Sequence, residues 1–161
     1  MKPISATELP DEIKTAICTV KVLLGKDKQK YKFVVKDDLK VNYENMENEM
    51  EQIPDVFHMW AMIYNEIKEQ KDIIDKKIRK RRGILYREIS EQGGKNLRRS
   101  DISDIMEIDE ILENLEIQHI LISKQSQKVY YILESIKMKN DNMRSLAGFK
   151  RQELYQTGQS I

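Results

Sequence analysis

Ten basic residues stand between positions 76 and 99: Lys76, Lys77, Arg79, Lys80, Arg81, Arg82, Arg87, Lys95, Arg98 and Arg99. Only Glu88 and Glu91 oppose them, leaving a net charge of +8. Within 76–82 six of seven residues are positive, a density at which the charges repel one another unless something negative covers them. Tyr86 follows the run closely and offers a ring on which a base could stack, the usual companion of a cationic groove that holds a single strand. Lys76, Lys77, Arg79, Lys80, Arg81, Arg82, Tyr86 and Arg87 are therefore the candidate nucleic-acid contacts. The chain also carries its own source of counter-charge. Residues 101–116 hold Asp101, Asp104, Glu107, Asp109, Glu110, Glu113 and Glu116 with no base, a net charge of −7. Pairing between the two blocks is the intramolecular account of the same pattern.

Other chemistry is hard to find. His58 and His119 have no cysteine or acidic pair at metal-ligand spacing, and no phosphate loop, nucleophile elbow or dinucleotide fingerprint is present. The expectation is a non-enzyme without metal or cofactor. The single cysteine, Cys18, reads as a small buried side chain in a reducing compartment. The longest apolar run, 16–24, is too short to cross a bilayer and contains Lys21, so a cytoplasmic protein with no membrane partner is expected.

The elements that must position the basic run are helical. Charged residues make up 34% of the chain and Gly and Pro are few, which favours helix over a turn-rich fold. Val56, Trp60, Ile63, Ile67, Ile74, Ile78 and Leu85 follow the 3-4 spacing of a coiled-coil seam, predicting one helix over 55–90. At 1.5 Å per residue such a helix is about 54 Å long and overhangs any small domain, so a second long helix must cover it. Gly93, Gly94 and Asn96 mark a loop over 91–100, and Ile105, Ile108, Leu112, Leu115, Ile122, Val129 and Leu133 predict a second helix over 101–135. The two form an antiparallel pair. On the first, Lys76, Lys80 and Arg87 make one row and Lys77 and Arg81 the next, while Ile78 and Leu85 keep to the packed side.

The N-terminal extension, 1–38, is ambiguous. Pro10, Asp11 and Glu12 open a helix whose apolar positions Ile13, Ile17, Val20 and Leu24 lead to Gly25. The β-prone runs 19–24 and 31–35 could instead form a hairpin. A short helix over 39–50 is expected to stop near Pro54, because a residue before proline avoids the α region.

The C-terminal string Ile136-Lys137-x-Lys139-x-x-x-Met143-Arg144-x-Leu146-x-x-Phe149-Lys150-x-x-Glu153 resembles the C-terminal signature of the UvsY recombination mediators of tailed phages. The similarity extends weakly back to about Asp104, and a second match surrounds Trp60 with Ile67 seven residues on. The family's basic and aromatic stretch falls on 79–86 after a three-residue shift, where Lys80, Arg82 and Tyr86 match and Gly83, Ile84 and Leu85 depart. In all, the resemblance covers 39–154. It implies a cytosolic homo-oligomer assembled through its C-terminal region that binds single-stranded DNA. Its implied partners are a phage recombinase and a single-strand-binding protein. Ile136, Met143, Leu146 and Phe149 form one helical stripe and are the expected oligomerisation residues, with Lys137, Arg144 and Lys150 on the rim. The expected organisation is thus 1–38, a helical hairpin over 39–135, and an assembly segment over 136–161. A coiled-coil scaffold that binds no nucleic acid is the alternative. A duplex-DNA regulator lacks the short recognition helix it would need.

Overall fold

The computed structural model describes residues 12, 19–24, 29–93 and 98–156. The order is β1 (Thr19–Leu24), β2 (Gln29–Val34), α1 (Lys36–Leu39), a 3-10 turn (Tyr43–Asn45), α2 (Met46–Gly93), α3 (Arg99–Glu107) and α4 (Glu110–Gln156). These elements form two compact units, one within 1–64 and 128–161, the other within 65–127. The helix α4 passes through Ser135 without interruption.

In the first unit, β1 and β2 pair antiparallel with Val20 opposite Phe33 and Val22 opposite Tyr31. Strand alternation buries Val20 and Val22 and turns Lys21 outward. The hairpin alternative therefore holds over 19–24 and the helical reading there does not: the β-branched residues gain a covered face by alternating. Residues 10–11 and 13–18, Gly25 and Cys18 lie outside the described residues. Lys128 Nζ donates to the Thr19 carbonyl at 2.8 Å, tying β1 to α4. Trp60 is fully buried, with Phe33 edge-on at 5.7 Å, and its Nε1 donates to Asp38 Oδ2 at 2.9 Å. A buried indole needs such an acceptor. Ile53, Ile63, Val129, Ile132, Leu133, Ile136 and Met143 complete the apolar interior.

Pro54 does not end the helix as expected; α2 runs through it. An interior proline costs roughly 3 kcal/mol. Burying Ile53, Trp60 and Ile63 on the same helix returns about 1.5–3 kcal/mol for each side chain, so packing outweighs the local preference. Across this unit α2 and α4 run antiparallel, as the pairs Glu49–Lys139 and Tyr64–Tyr130 require.

The second unit is built from helices, with no strand among its described residues. Ile78, Leu85 and Ile89 of α2 pack with Ile102 of α3 and Leu112 of α4, and Ile74, Met106 and Leu115 flank them. The pairs Asp75–His119 and Arg82–Glu116 show the same antiparallel sense. The expected continuous helix over 101–135 is broken after Glu107. The Ile108 and Asp109 amides turn to the Ile105 and Met106 carbonyls at 3.4 and 3.2 Å, and Asp109 starts α4 afresh. Its Oδ1 accepts from the Leu112 amide at 2.7 Å, an N-cap, with Glu110 and Glu113 in the first turn where the helix dipole favours acids.

Candidate nucleic-acid interface

Every residue of the basic run lies on α2 in the second unit, but the helix deals its members into different settings. The core positions Ile74, Ile78 and Leu85 are spaced by 4 and 7, and the position that completes the 4-3-4 seam is Arg81. A cation on a seam must be compensated, and Asp109 does so. Arg81 Nε donates to Oδ1 at 3.0 Å and Nη2 to Oδ2 at 2.5 Å, a bidentate pair, with side chains 24% and 14% exposed. The Asp109 carboxyl is held below the usual carboxylate range first by the Arg81 hydrogen bond and then by the Leu112 amide, against a partial loss of hydration. Arg81 is correspondingly raised by the same bond. Arg82, on the far side of the seam, reaches Glu116 at 2.6 Å in a more open pair.

The remaining residues face solvent. Lys76, Lys77, Arg79, Lys80, Tyr86 and Arg87 are exposed, Tyr86 by 50%. The side chains of Lys76, Lys77, Arg79 and Lys80 make no hydrogen bond or ion pair among the described residues. Arg87 leans back so that Nε lies 3.4 Å from the Gly83 carbonyl. At about 100° per residue Lys76, Lys80 and Arg87 share the side of α2 opposite Ile78 and Leu85, with Arg79 and Tyr86 together on one flank of it. Cations and an exposed ring on this surface are chemically suited to attract phosphate and to stack a base.

The eight candidate contacts are thus divided, with Arg81 and Arg82 engaged by the acidic segment. The missed signal for Arg81 is the seven-residue step across the seam, and for Asp109 it is an aspartate followed by Glu110 and Glu113 at a helix start.

The C-terminal stripe is divided as well. Ile136 and Met143 are buried against the chain's own first unit, whereas Leu146 is 38% and Phe149 64% exposed. The four do not form one open face. Lys137 pairs with Glu134 at 2.7 Å, which raises its pKa, and Arg144 and Lys150 are exposed. Lys139, one of the basic residues of this stretch, is buried instead. Its Nζ donates to the Asp38 and Lys40 carbonyls at 2.9 and 2.7 Å and pairs with Glu49.

His119 Nε2 stands 3.1 Å from Asp75 Oδ1, and His58 is exposed. Among the described residues no three His, Cys, Asp or Glu side chains could hold a metal together, and no helix is long and apolar enough to cross a membrane. Comparison with protein families, curated proteins and solved structures gave no match for the chain.

Proposed function

We propose that the protein binds single-stranded DNA along the exposed side of α2 and serves as a recombination mediator in the host cytoplasm. In this reading it helps a phage recombinase displace a single-strand-binding protein. The observation that carries the proposal is the row Lys76, Arg79, Lys80 and Arg87, which stays exposed with Tyr86 although seven acids follow within 101–116. Had neutralisation within the chain been the whole purpose of the run, these cations would be expected to pair as Arg81 and Arg82 do. The mediator role and its protein partners rest on the resemblance of the C-terminal string. Self-association through Leu146 and Phe149 belongs to the same reading, since an apolar surface on a helix end gains by being covered. No bond is made or broken: the strand is held through phosphates, without marked sequence preference.

The scaffold reading draws on a specific observation too, the Arg81–Asp109 and Arg82–Glu116 pairs, which give part of the basic run a purely internal use. Binding of a labelled single strand and of its duplex over a salt series separates the two. The mediator reading expects the single strand to bind more tightly, with a log-log salt slope near −3 if four phosphates are neutralised at about −0.7 each. A protein that binds neither at low salt is a scaffold.

A further inference from the structure

Gly83 lies in the interior of α2, where glycine weakens a helix relative to alanine. Nothing inside the fold calls for it. A Cβ at this position would meet no atom within 4 Å, and the residue sits in ordinary helix rather than in a turn that needs a left-handed backbone. Its surroundings are informative. On a helix surface the nearest side chains are those three and four residues away, and for Gly83 these are Lys80, Tyr86, Arg79 and Arg87, all exposed. Three cations and one aromatic ring therefore frame a stretch of helix with no side chain of its own, where only the Arg87 guanidinium leans over the Gly83 carbonyl, in the middle of the candidate interface.

We propose that this patch is the contact subsite for one nucleotide unit of a single strand. The sugar and phosphate lie directly on the backbone at Gly83, Arg79, Lys80 and Arg87 hold the phosphate oxygens, and the base rests against Tyr86. A side chain at 83 would lift the strand by at least a carbon–carbon bond, about 1.5 Å, and wedge it away from cations that hold it best at about 2.7–2.9 Å. Duplex DNA gains little here, because its bases are already stacked and Tyr86 has none to receive. The subsite rests on the single-strand reading above and adds to it which residue sets the depth of approach.

The test uses the full-length protein, a labelled oligothymidylate read by anisotropy, and thermal melts. Gly148 is a second exposed glycine within a helix whose Cβ would meet nothing within 4 Å, and it lies on α4 in the first unit. Gly83→Ala and Gly148→Ala should both raise the melting temperature by a few degrees. Only Gly83→Ala should weaken the single strand, by about fivefold, the loss of one modest contact, and Gly83→Leu should weaken it further. Wild-type protein that fails to bind at low salt overturns the single-strand reading and the subsite with it. Wild-type protein that binds while Gly83→Leu binds equally well overturns the subsite alone. Equal weakening by Gly148→Ala also overturns it, since the effect would then be general stiffening of the helices.

Discussion

Lys80 and Arg81 are neighbours in sequence with opposite surroundings, one open to solvent and the other clamped to Asp109. Helical geometry explains the split: a step of about 100° carries the chain from the outer surface onto the flank of the seam. Asp109 serves Arg81 and the Leu112 amide together, so its loss removes an ion pair and a helix cap at once. Asp109→Ala is expected to lower the melting temperature by several degrees, while Asp109→Asn, which keeps a good capping oxygen, lowers it less. The pH dependence has a definite sign. The folded-state pKa of Asp109 lies below its unfolded value, so its stabilisation is complete above the ordinary aspartate pKa, about 3.9. That stabilisation fades as pH falls through the depressed value. Melts of wild type and Asp109→Asn should accordingly differ at neutral pH and converge in strong acid. Residue types and density showed where the charge lies; which members are engaged depended on α3 ending at Glu107, and that break had only the weak signal of one capping aspartate.

At the scale of elements, the long helices and the seam from Trp60 to Leu85 were legible because a 3-4 apolar repeat sustained over many turns matches the period of a helix and not the alternation of a strand. One expectation gives way where a local preference competes with burial. Pro54 by its type stops a helix, yet Ile53 and Trp60 gain more from packing than the ring costs. Pro54 itself is exposed, so Pro54→Ala should restore an amide without opening the core and stabilise the fold by up to about 3 kcal/mol, read in a denaturant melt. Lys139 by its type belongs with the surface cations. Only the chain segment at Asp38 and Lys40, distant in sequence, reveals that it fastens α4 to the residues after the hairpin. Lys139→Ala leaves Glu49 and two carbonyls short of a donor and should cost about 3 kcal/mol. Lys150→Ala, at an exposed position, should be near neutral. Equal effects of the two lysine variants would mean that the buried amino group holds nothing together.

For the molecule as a whole, the mainly helical class was readable from composition and periodicity, while the small hairpin was one of two readings that the β-prone runs left open. The division into two units, with α2 and α4 contributing to both, was not, because an uninterrupted helix carries no mark in its sequence where its partners change. The proposed self-association rests on what α4 leaves uncovered. With Ile136 and Met143 already buried, Leu146 and Phe149 are the members of the stripe still available to another copy. Leu146→Glu with Phe149→Glu should reduce the subunit count by light scattering without loss of helicity. An unchanged count would remove the C-terminal segment from the assembly. The central claim is that the basic run has two duties, Arg81 and Arg82 binding the acidic segment and Lys76, Arg79, Lys80 and Arg87 binding a strand. It is tested most directly by the salt slope of oligothymidylate binding in wild type and in Lys76→Ala with Lys80→Ala. Removing two phosphate contacts should make the log-log slope shallower by about 1.4 while the melting temperature stays in place. An unchanged slope, or a double variant that melts early, would contradict the account.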